Sequence, residues 1–320
     1  MASPIEALRW NIINAFERPC GSVNEDLIDA ARRRIISATI DIDGTSGPPR
    51  APRAIQTQNG LPYIRLHLTH MELLWSFAYG WMILYEEGVQ KPMIDGKWTG
   101  NIVLDRPLTQ RAASLLMWAS TLRAKYTKWP EGLPRPARGC DQEETNYCYK
   151  ANNVFQTSLS FLLYHEFAHV RQGHFRVHDP SDDPAACELA IELEREADDF
   201  AFNIFLSATD DEATRATKGW PLLMPVLSSL YLVDGLVGVF QRRHPHLHHR
   251  IQHMLNRFNF QDRKHGDYYR LLCACVLSVF SNAYTRGGNA APIEPESFVT
   301  AEDALDDELD FLDSHGTELL

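Results

Sequence analysis

His165-Glu166-Phe167-Ala168-His169 is the most informative run in the sequence. On a helix, positions i and i+4 share a face, so the imidazoles of His165 and His169 can reach one metal ion. Glu166 projects beside them and can take a proton from a water. A catalytic zinc needs a third protein ligand and one open position. One arrangement takes that ligand from a histidine six residues on, with a glycine midway. Those positions are Phe175 and Gln172, so it fails, and His174 reads as a nearby polar or ligand-binding residue. The other takes a carboxylate from a following helix, with an aspartate one turn later. Glu194-Arg195-Glu196-Ala197-Asp198 supplies both. Glu194 and Asp198 share a face, so Glu194 can bind zinc while Asp198 accepts a hydrogen bond from a ligand histidine. Glu192 and Glu196 remain alternative ligands.

A third cluster runs from Arg242 to Ile251 and includes His244-Pro245-His246-Leu247-His248-His249-Arg250. Pro245 is expected to begin a helix with His244 at its mouth, where it can face the zinc and negative charge developing on a substrate oxygen. Arg250 is expected either to anchor the segment or to bind a substrate carboxylate. His249 and His253, four apart, offer a second pair for a metal.

These residues need elements to hold them. The chain has 320 residues, 44% apolar and 23% charged, enough for a sizeable core without disulfides. Ten acids and no Lys or Arg lie between Glu294 and the end, so the first 293 residues are nearly neutral (31 basic, 32 acidic). That balance argues against a nucleic-acid surface. Six cysteines without a C-x-x-C pair read as reduced thiols in a cytoplasmic protein. The N-terminus does not read as a signal peptide. The apolar stretch 221–240 contains Asp234 and Pro225, so it reads as a buried helix and not a membrane span.

The sequence predicts a short helix over Asn24–Arg34 with Asn24 as its cap, then two paired strands, 35–42 and 61–68. Thr69 and Glu72 form a capping box opening an apolar helix, and another helix starts near Thr109. The Pro-rich stretch 129–139 reads as a surface loop. Further helices are expected over 153–172, from Asp183 as cap and Pro184 to about Ser207, and near 221–240 and 268–284. The architecture is α+β and helix-rich, with a small sheet packed on the two metal-bearing helices. The strand Leu61–Leu68 is the candidate for pairing with a substrate backbone. Residues 1–290 read as a single domain. Residues 291–320 read as an acidic tail contributing little to the core, although Leu305, Leu309 and Leu312 fall at helical spacing.

The combination of HEFAH (165–169), EREAD (194–198) and H-P-x-x-x-x-R-I (244–251) resembles the gluzincin metallopeptidases, and among them the Lit family of bacterial phage-exclusion peptidases. The apolar helix with Trp75 and Trp81 after two strands is also similar to that family. Membrane-embedded CAAX-type proteases share the last motif, but this chain lacks their transmembrane helices. The resemblance implies a zinc endopeptidase with His165, His169 and Glu194 as ligands and Glu166 as base. It further implies elongation factor Tu as the protein substrate, a phage-derived peptide or protein as the activating partner, and no membrane or nucleic-acid partner. The alternatives are a general housekeeping peptidase and a non-catalytic, zinc-stabilised sensor or scaffold.

Overall fold

The computed structural model describes residues 3–17, 21–57, 60–177, 181, 183–285 and 300–319. In order along the chain it contains α1 (Gly21–Arg32), β1 (Asp41–Asp43), β2 (Arg53–Ile55), β3 (Tyr63–His67), α2 (Leu68–Tyr85), α3 (Pro107–Thr121), α4 (Gln142–Arg171), α5 (Pro184–Phe205), α6 (Glu212–Ser229), α7 (Leu247–Phe258), α8 (Arg263–Thr285) and α9 (Ala301–Leu319). Loops and short helical turns join them. The fold is α+β and helix-rich, as the sequence predicts.

At the centre lie α2 and α4. Every residue of α2 from Thr69 to Tyr85 is buried, which an all-round apolar helix requires. It packs against α3 on one side and α4 on the other. Two of its polar groups meet α4: Trp75 Nε1 donates to Asn152 Oδ1 at 2.8 Å, and Tyr79 Oη donates to Glu144 Oε1 at 3.1 Å. The expected capping box is not formed. Strand β3 runs straight into α2, whose cap residue His67 makes no side-chain cap bond. Glu72 instead accepts from Ser3 Oγ at 2.5 Å.

Helix α4 begins well before residue 153, because Asp141 caps it by accepting Glu144 N–H at 2.8 Å. Its first turns are polar on the solvent side, which hides them from a search for apolar periodicity. Helix α6 begins at Glu212 and stops at Ser229, short of the expected 240; Gly235 turns the chain at φ 66°. It contains Pro221 and Pro225. Pro225 has no N–H to offer the Pro221 carbonyl, and Ser158 Oγ of α4 donates to that oxygen at 2.7 Å instead. The bond missing within one helix thus becomes a buried tie to α4.

The other boundaries shift by smaller amounts. Helix α1 starts at Gly21, so Asn24 lies inside it and is not its cap, and α3 starts at Pro107. Helix α5 opens as expected, with Asp183 accepting Ala185 N–H at 3.1 Å. The sheet has the order β1-β3-β2, with β1 parallel and β2 antiparallel to β3. Of the run 35–42 only its end is strand. Arg34 turns the chain at φ 59° and Ile36 drops into the core, so Ser37 N–H meets Pro62 O in a single bond. β2, from the Gly/Pro-rich segment, was not anticipated. Because β3 is central, the segment 61–68 has no free edge for a substrate.

Among the described residues no helix is long and apolar enough to cross a membrane. Cys140, Cys148, Cys187, Cys273 and Cys275 are free, and Cys20 lies outside the described residues.

The acidic tail corrects the sequence reading. Residues 301–319 form α9, which lies along α8 and buries Leu305, Leu309 and Leu312. The leucine spacing outweighs the charge, because Glu302, Asp303, Asp306, Asp307, Asp310 and Asp313 stay exposed beside the apolar seam. Leu312, fully buried, is expected to cost about 2–5 kcal/mol when changed to alanine. Denaturant unfolding checks this; wild-type stability would show that α9 docks without contributing to the fold.

Candidate active site

Helices α4 and α5 lie against each other and bring three donors to one point. His165 Nε2 and His169 Nε2 are 3.3 Å apart. Glu194 places one oxygen 3.4 Å from His165 Nε2 and the other 3.5 Å from His169 Nε2. Around a tetrahedral zinc with bonds of about 2.0–2.1 Å, neighbouring donors stand about 3.3–3.4 Å apart. The residues present therefore fit zinc. Glu192 is exposed, and Glu196 turns to His174, so neither alternative reaches this point.

Each imidazole is held from behind. His165 Nδ1 lies 2.9 Å from Asp198 Oδ1. His169 Nδ1 lies 2.9 Å from His174 Nδ1, whose Nε2 is 3.3 Å from Glu196. Such outer partners fix ring orientation and leave Nε2 to the metal. Both oxygens of Asp198 also accept from Arg250, Oδ2 from Nε at 2.6 Å and Oδ1 from Nη2 at 2.5 Å. Arg250 is thereby an anchor, and its fork is not open to a substrate carboxylate. The neighbouring Asp199 binds Arg257 at 2.6 Å and His253 at 3.2 Å, so α5 and α7 are stapled twice. His249 and His253 do not pair: His253 turns to Asp199 and His249 to Asp313.

His244 sits at the cleft mouth, half exposed, with Nδ1 3.2 Å from Glu194 Oε2. It is not at the start of α7. That helix begins at Leu247 with His246 as cap, two residues later than the proline suggested.

Buried charges concentrate at this point. Burial alone would raise Glu194, but hydrogen bonds with His165 and His244 outweigh it and hold the carboxyl far below its usual range. Burial likewise opposes ionisation of Asp198, and the Arg250 charge and His165 overcome it. Burial pulls His165 down, yet Asp198 and Glu194 lift it to about 10. His169 is lowered to about 4 by burial and by the charge on His165. Burial raises Glu166 to about 7, a value suited to a base working near neutral pH.

With His165 raised above neutrality, the metal-free site carries a proton at pH 7, and zinc needs the lone pair that proton occupies. Zinc uptake is expected to release about one proton or somewhat more, and affinity should climb as pH rises toward 10. Calorimetry in buffers of different ionisation enthalpy measures the release. Uptake without proton release would contradict the charge assignment.

The donors line a cleft of about 610 Å³, walled by Ala54, His70, Leu162, Ser229, Leu232 and His244 among others. A larger cleft of about 850 Å³, between the N-terminal segment and β1, is mainly apolar and holds no such donor set. Ala54 of β2 donates its N–H to Glu166 Oε2 at 2.5 Å. Sequence reasoning missed Ala54, since a backbone donor leaves no mark in residue type. It also missed His70, a buried histidine with no motif around it.

A protein-family model, Peptidase U49, matches residues 64–270, about two thirds of the chain. The chain belongs to the Peptidase U49 family. The matched span holds His165, Glu166, His169, Glu194, Asp198, His244 and Arg250 together. β2 and α9 lie outside it. No curated protein and no solved structure matches the chain.

Proposed function

We propose that this U49 peptidase is a zinc-dependent endopeptidase of the gluzincin type, acting on a specific intracellular protein. The observation that supports this most directly is the convergence of His165, His169 and Glu194, with the imidazole nitrogens 3.3 Å apart and one carboxylate oxygen 3.4 or 3.5 Å from each, and a half-buried glutamate beside them. When bound there, zinc supplies a Lewis acid that polarises the scissile carbonyl and acidifies water.

The remaining chemistry belongs to the chain. Glu166 accepts the proton of the attacking water and passes it to the leaving amine. Asp198 keeps His165 in one tautomer, Arg250 keeps Asp198 ionised, and His174 does for His169 what Asp198 does for His165. His244, at the cleft mouth, is placed to donate to the carbonyl oxygen as charge builds there. The outer edge of β2 takes over the substrate-pairing role that the sequence gave to 61–68.

The finer reading is a cytoplasmic enzyme of antiviral defence that cuts elongation factor Tu when a phage product triggers it. Its support is the three-motif likeness to the Lit family. The Ala54 N–H on Glu166 also favours a gated enzyme over a housekeeping one, because the base is engaged by the protein's own strand. A non-catalytic sensor would need no base beside its metal.

Reversible metal removal tests the proposal. Bacterial lysate treated with the zinc-restored protein should show new N-termini, few in number, that vanish when a chelator strips the same preparation. Cleavage with and without phage extract tests the trigger, and a cut in elongation factor Tu tests the substrate. Widespread cutting of denatured casein would favour the housekeeping reading, and no zinc-dependent termini under either condition would sink the enzyme.

A further inference from the structure

Outside the cleft, three side chains converge where α7 meets α9. His248 Nε2 lies 2.7 Å from Asp313 Oδ1, and His249 Nε2 lies 3.2 Å from the same oxygen. All three donor atoms fall within 4.8 Å of one another. Consecutive helix residues point about 100° apart, so two neighbouring imidazoles rarely meet one carboxylate. Here the first turn of α7 lies beside α9, and both rings bend to Asp313.

We propose that His248, His249 and Asp313 form a second metal site, for a divalent ion that favours imidazole with carboxylate, zinc foremost. Two imidazoles and one carboxylate make a borderline donor set of the kind zinc takes, with the remaining position left to water. The separations of 2.7 and 3.2 Å need only slight opening to reach the edge of a zinc tetrahedron, about 3.3–3.4 Å. His248 is fully buried and fixes the inner position, whereas His249 and Asp313 are half exposed and give the ion a way in.

The surroundings agree. Helix α9 carries eight acids and no Lys or Arg, a field that gathers cations. His246 stacks parallel to His248 with ring centroids 5.9 Å apart. Its Nδ1 accepts the Gln241 N–H at 3.2 Å, which puts its proton on Nε2 and makes it a wall of the site and not a ligand.

The ion fastens the last helix to the one that carries Arg250. Leucines dock α9 along α8, and the metal adds a cross-link to α7 one residue from the anchor of the peptidase site.

Four full-length proteins test it: wild type, Glu194→Ala, Asp313→Asn and His249→Ala. Zinc per chain is measured by atomic emission after dialysis against buffered zinc. Two ions are expected in wild type and one in each variant. Hydrogen exchange gives a second readout. Zinc should slow exchange in α9 of wild type and Glu194→Ala, and should leave it unchanged in Asp313→Asn and His249→Ala. Asp313 and His249 are half exposed, so both substitutions leave the core intact. Zinc content equal to wild type in both α7–α9 variants would overturn the site. A Glu194→Ala protein holding no zinc would overturn it as well, since all the metal would then belong to the cleft.

Discussion

Exchanging Glu166 for glutamine is expected to leave zinc content at the wild-type level and to lower kcat by about 10²–10⁴-fold. The side chain is not one of the three donors that stand at tetrahedral spacing, so its loss removes no ligand. Glutamine keeps the shape and still accepts the Ala54 N–H, which Glu166 binds at 2.5 Å, so β2 should stay in place. What disappears is a carboxylate raised to about 7 by burial, able to take a proton and give it back. KM should change little, because the proton moves only as the reaction proceeds. Kinetics and metal analysis on one preparation check the point. A variant that is inactive and also zinc-free would make Glu166 a structural residue. Near-normal turnover would place the base elsewhere.

Changing Arg250 to alanine is expected to destabilise the protein by about 3–5 kcal/mol. Asp198 is buried, and both of its oxygens rest on the guanidinium at 2.6 and 2.5 Å. Without that partner an ionised carboxylate is left in a poorly solvated place with only His165 beside it. The single change should therefore cost more than the pair contributes over an apolar replacement. Arg250→Met combined with Asp198→Asn should recover part of the loss, although His165 then has a weaker partner. Chemical denaturation of wild type, Arg250→Met, Asp198→Asn and the double variant, read as a double-mutant cycle, gives the coupling. A loss under about 1 kcal/mol for Arg250→Ala would mean that water reaches Asp198.

The donor set was legible because chemistry imposes residue types at helical spacings. His165 and His169 must share a face, and so must Glu194 and Asp198, whatever surrounds them. Helix starts at Asp183 were legible for a similar local reason. Strand β2 was not, because three residues in a Gly/Pro-rich segment pair only when β3 is already in place. Glu72 misled, since a capping signal is local while its actual partner, Ser3, arrives from the far end of the chain. The tail misled through composition. Charge suggested a solvated segment, whereas three leucines on one face found the α8 surface. Arg250 was read two ways from sequence, and only the tertiary approach of α7 to α5 decides for the anchor.

The position of that anchor also sets an order in time. A chain leaves the ribosome from its N-terminus, so α4 and α5, with His165, His169, Glu194 and Asp198, emerge before Arg250 exists outside the tunnel. Until then the nascent site lacks the positive charge that keeps Asp198 ionised and the histidine behind it aligned. Helix α9, which reaches back to α7, follows after Arg250. On the ribosome the paired helices α4 and α5 therefore wait for the partners that complete the site.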